Sequence, residues 1–211
     1  MKFLYNPPKT IKNIFSDFYW DTSNNKILLT FDDGPNPRIT LKILETLRKQ
    51  NLKALFFCVG ENLTRYKELT GKIIAEGHVI GNHTINHNKL TKISFNDSRD
   101  EINSLNNMMM ETFNYKVKYF RPPYGRINFG TNKLMKTTGM KCVMWSLLTY
   151  DYKKGIKKVK FSIDNYLQRN SIIVLHDNVK TKEFIVDIIN HIVEKANQFD
   201  YEFGEPEECL K

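Results

Sequence analysis

Two adjacent carboxylates, Asp32 and Asp33, stand where the apolar run Ile27-Leu28-Leu29 gives way to Gly34-Pro35-Asn36-Pro37. A strand ending in paired carboxylates at a Gly/Pro turn sets like charges a few ångströms apart, and each raises the proton affinity of the other. Such a pair is costly unless a cation or a proton-transfer task uses it. The plain alternative is an acidic turn that caps the following helix. His83 and His87 are four residues apart, so a helical turn would put both imidazoles on one face, able to grip one metal ion. Taken alone, they could equally be two structural histidines. With an aspartate on the same rim they make a two-histidine, one-carboxylate set that leaves positions open for water and substrate. Arg121-Pro122-Pro123-Tyr124-Gly125 and His176-Asp177 are further polar groups at strand ends. Alone, the first is a loop stiffened by successive prolines and the second an ordinary strand-end pair. His78 and His191 fall outside the constellation and read as structural.

The elements that must position these groups follow from periodicity. Short β-type runs at 27–31, 54–59, 78–80, 118–120, 141–145, 171–175 and 201–203 alternate with helical patterns. The first helix opens at Pro37, with Leu41, Leu44 and Leu47 on one face; others are expected at 66–76, after Ser94, and at 130–138, 157–168 and 182–197. Alternating strands and helices predict an α/β fold with parallel strands covered by helices. In such folds functional groups collect at the carboxyl ends of the strands. Asp32 and Asp33 follow the first strand, His83 to His87 the third, Arg121 to Gly125 the fourth, Ser146 to Asp151 the fifth, and His176 ends the sixth. All of them therefore fall on one rim. Trp145 is open to two readings, a sugar-stacking platform or a core residue.

Composition narrows the class. The chain has 211 residues, 41% of them apolar, and no run approaches the ~18 apolar residues needed to span a bilayer. Its first residues, broken by Asn6, Pro7 and Pro8, lack the apolar core of a secretory signal. The expectation is a cytoplasmic protein, with membrane-peripheral attachment as the variant. Three cysteines without CxxC spacing suggest neither a disulfide framework nor a zinc knuckle, and favour a reducing compartment. Cys58, Cys142 and the triplet Met108-Met109-Met110 read as core filling. The net charge is +9, but its one dense cluster, residues 153–160, has no interleaved aromatics, so no nucleic-acid partner is expected. That cluster is either a solvated face or a patch for an anionic polymer or membrane. Residues 1–25 form an appendage in which Ile11, Ile14, Phe15 and Phe18 repeat as an amphipathic helix, lying on a membrane or packing on the body. Residues 26–211 form the main domain. Nothing in the sequence specifies an oligomeric state.

From about residue 26 to residue 203 the chain resembles the polysaccharide deacetylases, carbohydrate esterase family 4, also called the NodB homology domain. Thr30-Phe31-Asp32-Asp33-Gly34 matches the first motif of that family, His83-Thr84-Ile85-Asn86-His87 the second and Arg121-Pro122-Pro123-Tyr124-Gly125 the third. Asp151 with Tyr152 stands at the fourth and Val174-Leu175-His176-Asp177 at the fifth. The resemblance implies a distorted (β/α) barrel, commonly of seven strands. It implies a metal-dependent hydrolase acting on carbon–nitrogen bonds in linear amides, removing N-acetyl groups from N-acetylglucosamine-type residues of a glycan or glycolipid. Asp33, His83 and His87 would hold a divalent ion, usually zinc, which brings the pKa of water from 15.7 to about 7. Asp32 would be the base, His176 the acid that protonates the leaving amine, and the Tyr124 N–H an oxyanion donor beside Pro123. Arg121 would orient Asp32, and Asp151 would set the protonation of His176.

The fourth motif departs from the family pattern. Where the family has Trp-x-x-Asp-x-x-Asp-Trp, this chain has Leu148 for the first Asp and Tyr152 for the final Trp. That puts the pocket around the acetyl group, and hence substrate choice, in question. An O-acetyl polysaccharide esterase and a catalytically silent carbohydrate-binding domain are the competing functions.

Overall fold

The computed structural model describes residues 5–153 and 155–211. Seven strands pair in parallel: β1 (Leu28–Asp32), β2 (Leu55–Cys58), β3 (Val79–Asn82), β4 (Tyr119–Phe120), β5 (Lys141–Cys142), β6 (Leu147–Leu148) and β7 (Ile172–His176). Their order across the sheet is β5-β4-β3-β2-β1-β7-β6. The two edge strands are thus consecutive in sequence. Six strand spacings would separate them by about 29 Å in a flat sheet, yet the connector between them can reach only about 18 Å when fully extended. The sheet therefore curls into an incomplete barrel.

The amino-terminal segment lies along the seam between the edges. The Tyr19 N–H donates to the Cys142 carbonyl, the Met144 N–H to the Tyr19 carbonyl and the Leu148 N–H to the Tyr5 carbonyl. Its helix α1 (Lys9–Ile14) is shorter than the periodicity predicts. Phe15 and Phe18 join the core, while Ile11 and Ile14 stay exposed, so the four do not share one buried face. Among the described residues no helix is long and apolar enough to cross a membrane.

Around the sheet pack α2 (Thr40–Lys49), α3 (Gly60–Arg65), α4 (Lys67–Ala75), α5 (Phe95–Phe113), α6 (Phe129–Thr138), α7 (Ile156–Tyr166) and α8 (Ile185–Gln198), with α9 (Pro206–Cys209) at the end of the chain. Ser94 caps α5 by accepting from the Asp97 N–H, and Asn128 and Thr131 close a capping box on α6. Strands β1 and β2 are buried along their whole length, as expected of parallel strands covered on both faces. Successive side chains alternate across the curl. Leu29, Phe31, Phe56, Ile173 and Leu175 face the helices, whereas Leu28, Leu55, Phe57 and Ile172 form a smaller inner cluster with Cys209 and Leu210. All three cysteines are buried and free.

Two sequence expectations are corrected. The run at 201–203 is not a strand of the sheet: Phe203 makes one isolated bridge with Ile27, and the seventh strand is the dipeptide β6. The first helix starts at Thr40, beyond Pro37, because Asn36 first makes a turn whose N–H and carbonyl both engage Thr40.

Candidate active site

The inward alternation along β1 is Leu28, Thr30, Asp32, and along β7 it is Ile172, Val174, His176; Asp32 and His176 are register partners. The pleat therefore brings an acid and an imidazole side by side at the carboxyl end of the barrel. Around them, five non-glycine residues adopt positive φ: Asp33 (77°), Thr84 (66°), His87 (57°), Tyr124 (61°) and Tyr150 (58°). The other four such residues are asparagines or aspartates, which tolerate that region readily. A β-branched threonine, a histidine and two tyrosines held there mark loops whose conformation the surrounding packing dictates, a pattern that concentrates at functional sites. It also corrects one premise. His83 and His87 lie on a loop rather than a helical turn, and the left-handed residues Thr84 and His87 swing the second imidazole back toward the first.

The outcome of that loop is convergence. One ligand atom from each of Asp33, His83 and His87 lies within 4.8 Å of the other two. Asp33 Oδ1 is 3.3 Å from His87 Nε2 and 3.7 Å from His83 Nε2. The remaining polar atoms are tied elsewhere. His83 Nδ1 bonds the Arg121 carbonyl at 2.8 Å, which places the proton on Nδ1 and leaves Nε2 with its lone pair toward the gap. Asn178 Nδ2 donates to Asp33 Oδ2 at 2.9 Å, and Asn62 Nδ2 to the Asp33 carbonyl at 2.8 Å. Burial alone would raise the Asp33 pKa. The His87 hydrogen bond, the His176 and His83 rings and Asn178 outweigh it and hold the carboxyl well below its usual range. Burial also drives His83 below its ordinary value against the pull of Asp32 and Asp33, so the ring is neutral. A carboxylate and a neutral imidazole are the forms that ligate, and this donor set fits a divalent ion of the zinc type.

Asp32 is held differently. Its Oδ1 accepts from Arg121 Nη1 at 2.8 Å. Arg121 is itself fully buried, lies over the Phe57 ring and donates to Thr30 Oγ1 and to the carbonyls of Val143 and Met144. A buried guanidinium needs this many acceptors, and Asp32, held by it, lines the cleft. Opposite, His176 Nδ1 bonds Asp151 Oδ1 at 2.7 Å, and the His176 backbone N–H donates to Asp151 Oδ2 at 2.7 Å. Burial disfavours the imidazolium, but the Asp151 carboxylate more than compensates and pushes His176 up to about 9. Nδ1 is thus spoken for, and Nε2 is available to the cleft. Asp177 does not join the site: it is buried against the Thr40 hydroxyl.

Asp32, Asp33, His83, His87, His176 and Asn178 line one cleft of about 610 Å³. Tyr124 and Trp145 stand at its wall, Tyr124 largely exposed with its ring 4.7 Å from His87, Trp145 half-buried with its indole N–H unpartnered. Trp145 is therefore a wall of the cleft that also packs on the core. Pro123 is buried behind Tyr124. The substituted positions Leu148 and Tyr152 both line the cleft, the Tyr152 ring 4.5 Å from His176. Sequence reasoning missed Asn62 and Asn178. Asn178 stands two residues past His176 on the same rim and was open to the strand-end argument. Asn62 sits on α3, a six-residue helix opening at glycine that gives no usable periodicity.

Comparison with known proteins places this geometry. The sequence profile of the family described as "Polysaccharide deacetylase" matches residues 20–143. A peptidoglycan-N-acetylglucosamine deacetylase of Bacillus cereus is 39% identical over 128 residues, 61% of this chain. The peptidoglycan-N-acetylmuramic acid deacetylase PdaC of Bacillus subtilis is 32% identical over 183 residues, 86% of this chain. The chain spans 46% of the length of the first and 38% of the second. The crystal structure of the Bc1960 peptidoglycan N-acetylglucosamine deacetylase superposes with a TM-score of 0.87 at 27% identity, covering 97% of both chains. The curled seven-stranded sheet, the five motifs in order and the profile match agree, and the chain belongs to the polysaccharide deacetylase family.

Proposed function

We propose that this protein is a metal-dependent hydrolase that removes N-acetyl groups from N-acetylglucosamine-type residues of a glycan, peptidoglycan being the glycan its relatives indicate. The observation that carries the reading is the meeting of Asp33, His83 and His87 beside two separately held proton-transfer groups, Asp32 with Arg121 and His176 with Asp151. When bound by the three ligands, zinc would supply Lewis acidity and lower the pKa of water. The protein's own groups divide the remaining work. Arg121 keeps Asp32 oriented so that Oδ2 takes a proton from the attacking water. Tyr124, which lines the cleft, would offer its backbone N–H as the oxyanion donor. His176, charged at neutral pH through Asp151, delivers a proton from Nε2 to the departing amine. A silent binding domain would have no use for a base and an acid each fixed by its own buried partner.

Acetate release decides the matter. The zinc-loaded protein is expected to liberate acetate from peptidoglycan strands and from chitooligosaccharides, and to stop when a chelator is added. Release from acetylated xylan alone would make it an O-acetyl esterase; release from none of them would overturn the hydrolase reading.

A further inference from the structure

The mouth of the cleft carries cations without counter-charges. Arg126 follows β4, Lys153 follows β6 and Lys180 follows β7, and all three line the cleft that holds Asp33. Some lysines of the surface pair with carboxylates, as in Lys12–Asp21, Lys49–Glu45 and Lys118–Glu207, and others do not. Among the described residues none of the three rim cations forms an ion pair. The two acids that line the cleft are already engaged, Asp32 by Arg121 and Asp33 by His87 and Asn178, as is Asp151 behind it by His176.

The cations are also built into the site by their backbones. Asn178, which donates to Asp33, accepts from the Lys180 N–H at 3.1 Å. The Lys153 N–H donates to the Tyr150 carbonyl at 2.9 Å, and its ammonium lies 5.4 Å from the centre of the Tyr152 ring. The Arg126 N–H donates to the Pro123 carbonyl at 3.3 Å. A fourth cation, Lys89, lies over the Tyr124 ring at 4.8 Å. The carboxylates of the cleft, Asp32 and Asp33, are matched to partners within it, so the cations of the rim present their charge to whatever approaches the mouth.

Resting on the hydrolase reading, we propose that Arg126, Lys153 and Lys180 bind an oxyanion, a carboxylate or a phosphate, on the sugar next to the N-acetyl group being cut, so that charged glycans are selected over neutral ones. The guanidinium fork and the ammonium groups donate charge-assisted hydrogen bonds to such an oxyanion.

The test uses the zinc-loaded protein and short glycans matched in length: one with a free lactyl carboxylate beside the acetylated sugar, one with that group as a carboxamide, and one with a phosphate ester there. The charged glycans are expected to exceed the carboxamide in kcat/KM by about tenfold at low ionic strength. That ratio should shrink with added salt and in the triple variant Arg126→Gln, Lys153→Gln, Lys180→Gln. Whichever charged glycan gives the larger ratio identifies the source of the oxyanion. A ratio near one in the natural protein, or a ratio unchanged in the triple variant, overturns the proposal. Should no glycan be turned over, the hydrolase reading fails by itself, and equilibrium binding of the same glycans to chelated protein decides the selection: tighter binding of the charged ones supports it, equal binding ends it.

Discussion

At the scale of single residues, the two aspartates that open the site look alike in sequence but are held by different neighbours, and the proposed function gives them different work for that reason. Asp33 faces two imidazoles, whereas Asp32 faces a guanidinium. Asp32→Asn should therefore keep its metal and lose turnover by about 10²–10⁴-fold, while His83→Ala should lose both. Metal content by elemental analysis alongside acetate release separates the two cases, and an Asp32→Asn protein of full activity would remove Asp32 from the role of base. Asn178 donates to Asp33, so if Asp33 ligates as proposed, Asn178→Ala should weaken metal affinity by about 10–100-fold; competition with a chelator measures this. His176 gives a prediction in pH. Its acid form persists to about pH 9 because Asp151 outweighs the burial that would otherwise depress it. Activity that needs this proton falls as pH rises through the folded value. Asp151→Asn removes the charge that raises it, so the alkaline limb of kcat must move to lower pH. A cation on Asp33 lowers the limb in both proteins and leaves the sign of the difference intact; a limb that does not move would detach Asp151 from His176.

At the scale of elements, strand ends were the legible part of the site. Apolar runs that stop at Asp32, at Arg121 and at His176 announce themselves, and parallel topology then forces their ends to one rim. The loops were illegible, since nothing in His83-Thr84-Ile85-Asn86-His87 shows that Thr84 and His87 adopt positive φ; a four-residue spacing reads as a helical face until packing overrules it. Strand β6 was missed for a similar reason: two residues carry no alternation, and Leu147-Leu148 is a strand only because β7 supplies partners in Ile173 and Val174. Gly125 turns such loop geometry into a measurement. It has φ 61°, and a Cβ there would run into the Trp145 ring, whereas Gly139 has φ 66° with open space around it. Gly139→Ala should cost only the backbone strain, about 1 kcal/mol. Gly125→Ala should cost about 1–3 kcal/mol beyond that, because the indole must shift. Denaturant midpoints of the two variants read the difference, and equal losses would mean that Trp145 yields freely.

At the scale of the whole molecule, the layer between the curled sheet and its helices resists taking up charge. His78 enters β3 with its Nδ1 accepting from the Ala54 N–H at 3.2 Å and its ring edge-on to Phe56. Burial, helped by Lys53, lowers it from 6.5 to about 4. The unfolded chain takes up this proton near pH 6.5, and the folded chain does so only near pH 4. Between those values the unfolded state binds more protons, so stability falls as pH falls and is complete only above about 6.5. The full difference corresponds to roughly 3 kcal/mol. His78→Asn keeps an oxygen able to accept from Ala54 and has no proton to gain. Carboxylates elsewhere also titrate over this range, so the quantity to compare is the change in urea midpoint between pH 7 and pH 4.5 in the two proteins. The variant should lose less than the natural protein; an equal loss would mean that the fold admits a charged imidazole beside Phe56 at no cost, and that the layer between sheet and helices is wetter than its packing implies.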